Sequence, residues 1–437
     1  MNTRVVVVPR NSTLGSFDDT KDPLGRLEHW HIRRDAKDAV VTLEHAAEYL
    51  RTKDTPVAFP TETVYGLGAD ATRSASVRGI YSAKGRPSDN PLIVHVCDVD
   101  MLRTLLGSRV EDALPARYQS LIERFWPGPL TILLPNPDPS PLAPEVTAGL
   151  GTFGVRMPSE PLALTLIKLA GVPLAAPSAN ASTKPSPTTA QHVKDDLDGR
   201  IELILDGGSC QVGVESTVVD GLCDPPVVLR PGGVGIDELR SCPGWQDVVR
   251  AYKDRSEEGK EAPRAPGMKY KHYSPRARVV LYESSYEQGR AGIVKADAAT
   301  VAATANADAH ATNGTARRKV GVIRTKRWKP AAGLRCSKLD LHAGHVGHSR
   351  QNGHHDETRY DVYAGDLQND EGNTIGQVFD ISLGHETRGI AQGLFSALRE
   401  LDRRGADVIF VDGIDDKLDI AAAVMNRLRK AASETRA

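Results

Sequence analysis

The sequence of 437 residues predicts two α/β domains. Short segments of strand-forming apolar residues alternate with segments whose apolar residues recur at helical spacing, and this alternation runs through both halves of the chain. Between the halves, residues 246–276 are charged, rich in proline and glycine, and show little hydrophobic pattern. We therefore expect a larger N-terminal domain with a mixed sheet, a linker, and a smaller C-terminal domain with a parallel sheet.

The N-terminal domain is predicted over residues 38–245, after a polar N-terminal extension at residues 1–37. The predicted helices cover residues 41–50, 75–83, 99–106, 114–125, 160–169 and 190–197. The predicted strands cover residues 56–60, 92–96, 130–134, 154–156, 203–206, 216–219 and 227–229. Because strands and helices follow one another without a single repeating order, the sheet of this domain should be mixed.

The C-terminal domain is predicted over residues 277–437, after the linker at 246–276. Its predicted strands cover residues 279–283, 320–324 and 408–411, and its predicted helices cover residues 389–404 and 418–432. This alternation indicates a small Rossmann-like parallel α/β unit. Two polar insertions, residues 298–318 and 343–359, interrupt it. The second contains four histidines, for which a mobile loop is favoured over a metal site.

The composition excludes several classes of protein. The chain is 40% hydrophobic and 25% charged, with a formal net charge of −1, so nothing in its overall charge points to nucleic acid or membranes. Five scattered cysteines include no C-x-x-C pair, which argues against a zinc site or a disulfide framework and fits a reducing compartment. No apolar run reaches the roughly 18 residues that span a bilayer. We expect a cytoplasmic protein, and the N-terminal arginines leave mitochondrial import open.

Residues 59–70, F-P-T-E-T-V-Y-G-L-G-A-D, form the stretch around which the chain is organised. A strand leads into Thr61 and Thr63, whose hydroxyls should face one side because they are two residues apart in extended chain. Gly66 and Gly68 then predict a glycine-rich turn. The loose dinucleotide pattern Gly66-x-Gly68-x-x-Ala71 lacks an acidic residue at the end of the next strand, so nicotinamide binding is disfavoured.

Four cations lie at or near the ends of apolar segments. Lys84 and Arg86 are held in the Gly/Pro turn A-K-G-R-P-S-D-N-P, while Arg156 ends the predicted strand at 154–156 and Arg230 follows the one at 227–229. Strands of one sheet can direct their ends at one crevice, and these side chains bind phosphate or carboxylate. The alternative is that each is an ordinary surface charge.

Hydroxyl and amide groups form the second candidate cluster. They occur at Ser178, Asn180, Ser182, Thr183, Ser186, Ser216 and Thr217. Such groups can donate to phosphate or ribose oxygens, but an ordinary Ser/Asn turn explains them equally well.

Seven motifs follow one another within residues 59–233. They are P-T-E-T-V-Y-G-L-G, K-G-R-P-S-D-N-P-L-I-V-H-V, W-P-G-P-L-T-I-L-L, G-V-R-M-P, P-S-A-N, E-S-T-V-V-D and L-R-P-G. The linker motif P-G-M-K-Y-K-H-Y-S-P and the C-terminal A-V-M-N-R-L-R-K-A-A come after them. Together these motifs resemble the threonylcarbamoyl-AMP synthases of the two-domain kind. The resemblance covers nearly the whole chain except the N-terminal extension and the two insertions.

This resemblance implies a mixed-sheet catalytic domain with a basic concave cleft. It also implies a nucleotidyltransferase that converts L-threonine, bicarbonate or carbon dioxide, and ATP into threonylcarbamoyl-adenylate and pyrophosphate. A separate tRNA threonylcarbamoyl transferase complex would then modify an adenosine beside the anticodon. Magnesium is expected to bind through the ATP phosphates, with no protein side chains as metal ligands. Positioning and charge stabilisation should supply most of the catalysis.

The resemblance also assigns roles to individual residues. The catalytic K-x-R…S-x-N signature corresponds to Lys84, Arg86, Ser178 and Asn180. The expected threonine-binding residues are Thr63, His95, Arg156, Ala176 and Ser216, with Arg156 on the carboxylate. The expected ATP-binding residues are Lys84, Arg86, Asn90, Thr152, Ser178, Ser186, Arg230, Tyr270 and Tyr273. Residues 266–275 look like a lid that keeps water from the adenylate. Without the resemblance, His95 would be interpreted as a hydrogen-bonded core histidine.

A rival interpretation is a nucleic-acid-binding protein that uses the same basic cleft. The clustered cations fit it, and weak RNA binding is compatible with the sequence. A near-neutral chain with 5% aromatic residues, however, lacks the broad basic surface typical of such proteins.

Overall fold

The computed structural model describes residues 1–9, 14–20, 22, 24–33, 35–107, 114–252, 273–301, 318–342, 360–417 and 420–437. The chain divides into two units. The first contains Met1–Tyr270 and Leu418–Ala423, and the second contains Lys271–Lys417 and Val424–Ala437.

Helices and strands alternate irregularly in the first unit. Its helices are α1 (Lys37–Thr52), α2 (Ser74–Lys84), α3 (Val99–Leu106), α4 (Gln119–Phe125), α5 (Pro144–Thr147), α6 (Pro161–Ala170), α7 (Ala190–Leu197) and α8 (Ile236–Arg240). Its strands are β1 (Arg4–Val7), β2 (Gly15–Ser16), β3 (His31–Ile32), β4 (Val57–Phe59), β5 (Gly66–Asp70), β6 (Ile93–His95), β7 (Leu130–Pro135), β8 (Thr152–Arg156), β9 (Leu174–Ala175), β10 (Leu203–Asp206), β11 (Thr217–Asp220), β12 (Val227–Arg230) and β13 (Val249–Arg250).

The main sheet of this unit is mixed, as predicted. Within the described residues its strand order is β1-β10-β4-β5-β9-β6-β8-β7-β11-β12-β13. Strands β6 and β8 are parallel, β7 is antiparallel to β8, and β11 is parallel to β7. This arrangement places the C-terminal ends of β6 and β8 beside the N-terminal ends of β7 and β11. The α helices bury their apolar faces in one core, which includes Leu43 and Leu50 of α1 and Leu164 of α6.

Residues 1–37, predicted to be a polar extension, contribute to this unit. Strand β1 pairs in parallel with β10 at the edge of the main sheet. Trp30 is buried, its indole nitrogen donates to the Thr165 hydroxyl at 3.1 Å, and Leu27 is fully buried in the same core. The short apolar run at the N-terminus therefore forms an edge strand.

The predicted turn at Gly66 and Gly68 is wrong, because both residues lie inside strand β5. β5 pairs antiparallel with β4, which places Gly68 opposite Val57 and close to the ring of Phe59. A Cβ atom at Gly68 would lie 2.5 Å from Cε1 of Phe59. Glycine is required here for the close approach of a neighbouring side chain, whereas the chain direction does not change until after Asp70.

The second unit is built around a largely parallel sheet. Its strands are β14 (Arg278–Tyr282), β15 (Arg318–Arg324), β16 (Asp340–Leu341), β17 (Val362–Gln368), β18 (Thr374–Ser382), β19 (Val408–Asp412) and β20 (Glu434–Arg436). Its helices include α9 (Thr387–Arg403) and, from Val424 onward, α10 (Ala421–Ala431). In the described residues the order is β16-β17-β18-β15-β19-β14-β20. Strands β18, β15, β19, β14 and β20 are parallel, while β16 and β17 form an antiparallel edge. The predicted parallel α/β unit is thus confirmed, with an additional antiparallel edge.

Two further observations bear on the class of protein. Among the helices that the structure describes, none combines the length and hydrophobicity needed to cross a bilayer. All five cysteines are free thiols, and three of them, Cys97, Cys210 and Cys242, are buried.

Candidate functional site

The loop after β4 carries three consecutive buried polar residues, Thr61, Glu62 and Thr63. The Thr61 hydroxyl donates to the carbonyl oxygen of Val64 at 2.7 Å and lies 2.8 Å from the Thr63 hydroxyl. The two hydroxyls therefore face the same side, as the spacing predicted. This arrangement fixes the loop and presents Thr63 to the neighbouring strands.

Arg156, at the C-terminal end of β8, is the centre of the site. Its Nη1 donates to the Thr63 hydroxyl at 2.9 Å and its Nε donates to the carbonyl oxygen of Gly128 at 3.2 Å. Its Nη2 lies 2.6 Å from Oε1 of Glu62, and the two side chains are 4% and 5% exposed. A guanidinium has five N–H donors, so these contacts leave donors available for a ligand.

The Glu62–Arg156 ion pair leaves hydrogen-bonding capacity unused. Nη2 of Arg156 and Oε1 of Glu62 are close but not aligned as a hydrogen bond, and both atoms are buried without a hydrogen-bond partner among the described residues. Oε2 of Glu62 accepts from the backbone N–H of Ser159 at 3.2 Å. The buried Glu62 carboxylate therefore neutralises and orients the Arg156 guanidinium, and the N–H groups of Arg156 that are not engaged by Glu62, Thr63 and Gly128 can bind a ligand.

His95, at the C-terminal end of β6, lies beside Arg156 in the register of the parallel pair. Burial and the neighbouring Arg156 charge lower the pKa of His95 to about 3, so its imidazole is neutral at physiological pH. Nδ1 lies 3.2 Å from the carbonyl oxygen of Ile93, which can only accept. Nδ1 therefore carries the proton, and Nε2 is left as an acceptor.

The burial of neutral His95 should make the free energy of unfolding depend on pH. In the unfolded chain a histidine with a pKa near 6.5 takes up a proton as the pH falls to 5, whereas buried His95 stays neutral, so acid favours unfolding. Because of this residue, we expect the free energy of unfolding to be about 2 kcal/mol lower at pH 5 than at pH 7. Urea denaturation at both pH values should show that loss in the wild type and not in His95→Gln. An identical loss in both proteins would contradict the buried neutral state.

Ser216 and Arg230 form an adjoining cluster with Thr131. The hydroxyls of Ser216 and Thr131 lie 2.7 Å apart. Nη2 of Arg230 donates to the Ser216 hydroxyl at 3.1 Å and to its carbonyl oxygen at 2.9 Å. Gly232 packs directly on this backbone, since an added Cβ would lie 2.2 Å from the carbonyl carbon of Ser216. The R-P-G segment is thus closely packed against the backbone at Ser216, directly before strand β11.

Lys84, Ser178 and Asn180 are also brought together. Lys84 is the last residue of α2 and is buried, and its Nζ donates to the carbonyl oxygens of Ser178 and of Asn180, the latter at 2.8 Å. The Ser178 hydroxyl donates to Oδ1 of Asn180 at 2.6 Å. The cation therefore anchors the P-S-A-N loop.

Backbone pairings connect these clusters. Gly66 bridges to Ser178, and the backbone N–H of Gly213 donates to the carbonyl oxygen of Thr63 at 3.0 Å. The Ser186 hydroxyl donates to Glu215, the residue before Ser216. Segments far apart in sequence thus meet in one part of the first unit.

The remaining predicted residues have different surroundings. Asn90 is buried, and its Oδ1 has no hydrogen-bond partner in the described part of the chain. Arg86 follows Gly85, which ends α2 in the left-handed conformation, and is half-buried. The backbone N–H of Ala176 donates to the carbonyl oxygen of Ile93 at 3.0 Å. Thr152 begins β8, so about 13 Å of strand separates it from Arg156, at the other end.

The two predicted linker tyrosines differ in where they lie. Tyr270 lies outside the described residues, as does most of the predicted lid at 266–275. Tyr273 is described in the second unit, where its ring stacks on Phe395 with the centroids 5.2 Å apart. Arg427 lies over the same ring.

Sequence reasoning missed Glu62, Thr131 and Gly128 as parts of the site. The sequence could have indicated Glu62, because an acidic residue between two threonines directly after a buried strand is itself buried and needs a cationic partner. The contributions of Thr131 and of the Gly128 carbonyl arise only from the pairing of β7 with β8 and β11, which the sequence does not specify.

No group of three or more histidine, cysteine or acidic residues is placed to bind a metal within the described parts of the chain. The four histidines of the second insertion lie outside those parts.

Family models match both units. A model described as "Telomere recombination" matches residues 49–232, and one described as "Threonylcarbamoyl-AMP synthase, C-terminal domain" matches residues 234–433.

Similar proteins extend over nearly the whole chain. The chain is 42% identical to a threonylcarbamoyl-AMP synthase of Schizosaccharomyces pombe, over 99% of this chain and 98% of that protein. It is 39% identical to one of Bacillus subtilis, over 93% and 98%. Among solved structures, Pyrococcus abyssi Sua5 complexed with L-threonine aligns with a TM-score of 0.70 and 34% identity over 99% of both chains.

Proposed function

The chain belongs to the threonylcarbamoyl-AMP synthase family, and we propose how its residues carry out the synthase reaction. The family predicted from the motifs is confirmed, and the chain is an enzyme that makes threonylcarbamoyl-AMP. The observation that carries the site assignment is the buried Arg156 with its unused donor, beside Thr63 and neutral His95.

We assign the threonine carboxylate to Arg156. The guanidinium is already oriented by Thr63, Glu62 and the Gly128 carbonyl, so little side-chain freedom is lost when the carboxylate binds. A buried charge-assisted contact of this type is strong, and Arg provides the planar fork that a carboxylate fits.

The threonine amine and hydroxyl are assigned to the groups around Arg156. Nε2 of neutral His95 accepts a hydrogen bond from the amine or hydroxyl, and the Thr63 and Ser216 hydroxyls complete the contacts. With a pKa of about 3, His95 is too weak a base to remove a proton from an ammonium group, so it positions the nitrogen. The nitrogen reacts as the free amine, after its ammonium proton has passed to water: with carbon dioxide it gives the carbamate and releases one more proton, and with bicarbonate it gives the carbamate and water.

ATP is assigned to the cluster of Lys84, Ser178 and Asn180, together with Arg86, Asn90 and Arg230. Lys84 fixes the loop that carries the Ser178 hydroxyl, and the buried Oδ1 of Asn90 lacks a partner in the described structure. The carbamate oxygen then attacks the α-phosphate, and pyrophosphate leaves. Cations and hydroxyl donors arranged before the reaction stabilise the charge on the phosphates.

Magnesium is proposed to enter on the ATP phosphates. Among the described residues no group of three or more histidine, cysteine or acidic side chains is placed to bind a metal, so the ATP phosphates are the proposed ligands of the ion. We also propose that the product passes to a tRNA threonylcarbamoyl transferase complex, because an adenylate hydrolyses readily when it is released into water.

The rival nucleic-acid function is disfavoured by burial. Lys84, Arg156 and Arg230 are each less than 7% exposed, and the charge of Arg156 is paired with Glu62. Cations that track a phosphate backbone must be accessible at the surface.

Pyrophosphate release tests the proposed function. The full chain with ATP and magnesium should release pyrophosphate only when both L-threonine and bicarbonate are present, because the attacking group is their carbamate. Omitting either should reduce the rate to background. Release that ignores threonine, or salt-sensitive tRNA binding without such release, would contradict the proposal.

A further inference from the structure

A cavity of about 560 Å³ lies in the second unit, at the C-terminal ends of the neighbouring parallel strands β15 and β18. Arg324 ends β15 and Ser382 ends β18, and both line the cavity. This volume is in the usual range for small-molecule sites, and ligands of α/β sheets characteristically bind at the C-terminal ends of parallel strands. Neither the family assignment nor the proposed synthase reaction uses this cavity.

Three polar residues form a row across the sheet at the cavity. Arg324 is the register partner of Ser382. Val362 pairs with Ile381, so Asp361, one residue earlier on the antiparallel strand, lies opposite Ser382. Since neighbouring strands are about 4.8 Å apart, roughly 10 Å separates the backbones of Arg324 and Asp361, with a hydroxyl between them. A cation and an anion thus flank the cavity.

The guanidinium of Arg324 is held in place from one side. Its Nε donates to both carboxylate oxygens of Asp380, at 2.7 and 2.9 Å, and Asp380 is fully buried. Asp380 also accepts from the backbone N–H of Ala331 at 2.7 Å. Within the described residues, Nη1 and Nη2 of Arg324 have no hydrogen-bond partner. These nitrogens form a fixed fork suited to a carboxylate or phosphate.

The other walls of the cavity are apolar or aromatic. They include Pro330, Leu339, Tyr360 and Tyr363. Ala331, directly after Pro330, has φ of +58°, which is unfavourable for a residue with a Cβ. The Asp380 contact holds this strained turn. Asp380, which orients the guanidinium of Arg324, therefore also holds the cavity wall at Pro330 in place.

The charges of the cavity discriminate between classes of ligand. Arg324 supplies one positive charge, whereas Asp361 and Asp380 supply two negative charges. The net charge of these lining residues is already negative. Binding of a nucleotide, which carries several negative charges, is therefore unfavourable. A zwitterion with one carboxylate and one ammonium matches the row of polar residues.

We propose that this cavity binds a free amino acid with an apolar or aromatic side chain. Its α-carboxylate contacts Arg324, its α-ammonium contacts Asp361, and Ser382 lies between them. Its side chain packs against Pro330, Leu339 and Tyr363.

Calorimetric titration of the full chain with L-phenylalanine tests this site. Saturable binding at one site is expected, and 3-phenylpropionate and 2-phenylethylamine, which each lack one charged group, should bind at least tenfold more weakly. Arg324→Lys and Asp361→Asn should each weaken binding at least tenfold. Asp361 is exposed, so its variant should fold normally even if the Arg324 variant does not.

Two control variants locate the binding. Asp366→Asn, an exposed change on the same strand β17 outside the cavity, should leave the affinity unchanged. Arg156→Lys should also leave it unchanged, which distinguishes this site from the threonine site. Loss of binding in Arg156→Lys, binding of AMP in place of L-phenylalanine, or no binding of L-phenylalanine or L-leucine at millimolar concentration would overturn the proposal.

Discussion

Replacing Arg156 by lysine is expected to lower kcat/KM for L-threonine about 30- to 1000-fold, equivalent to about 2 to 4 kcal/mol of lost transition-state stabilisation. Lysine keeps the positive charge opposite Glu62. Its single ammonium, however, cannot contact the Thr63 hydroxyl, the Gly128 carbonyl and a carboxylate at once, as the guanidinium can. The measurement is the rate of pyrophosphate release as a function of threonine concentration.

An arginine outside the site provides the matched control. Arg73 forms an ion pair with Asp54 and follows strand β5, away from the Arg156 contacts. Arg73→Lys should retain wild-type kinetics. If Arg156→Lys also kept wild-type kinetics for threonine, the assignment of the carboxylate to Arg156 would be wrong.

Replacing Glu62 by alanine is expected to lower the free energy of unfolding by about 3 to 5 kcal/mol, because it leaves the buried Arg156 without its counter-charge. The backbone N–H of Ser159 loses its acceptor in the same change. Glu62→Gln should cost less, since the amide oxygen can still accept a hydrogen bond. Urea-induced unfolding of the full chain measures both variants.

Glu44 on helix α1 is the matched surface control. It is exposed, and its replacement by alanine should change stability by no more than about 0.5 kcal/mol. Equal stabilities of Glu62→Ala and Glu44→Ala would show that the buried ion pair is not formed in solution.

Elements with a local signal could be predicted closely from the sequence. Helices α3 and α7 have the predicted bounds, since their apolar spacing is regular and Asp98 and Thr189 cap their N-termini with side-chain hydrogen bonds. Strand β10 likewise follows its apolar run. Each of these signals lies within the element itself.

Elements that depend on distant partners could not be predicted. The two glycines of β5 look like turn residues until the Phe59 ring is placed beside them. The antiparallel edge formed by β16 and β17 was missed because these strands have little apolar alternation. The partner of Arg156 is Glu62, 94 residues earlier, and no local pattern connects the two.

The candidate site follows the same division. The chemical types were evident from the sequence, because cations and hydroxyls cluster in motifs at strand ends. The contacts of these residues were not evident from the sequence, as Lys84 illustrates. Its charge was predicted to bind phosphate, while the structure adds that its Nζ donates to two backbone carbonyls of the P-S-A-N loop. That contact depends on how α2 packs beside the loop, and the sequence does not specify this packing.

A crystal structure of the full chain with L-threonine and a non-hydrolysable ATP analogue would test the proposed site most directly. The threonine carboxylate should lie within hydrogen-bonding distance of Nη2 of Arg156, the amine or hydroxyl should contact Nε2 of His95, and the phosphates should lie beside Lys84 and Ser178. Threonine bound elsewhere in the first unit, with the Arg156–Glu62 pair untouched, would contradict the proposed site.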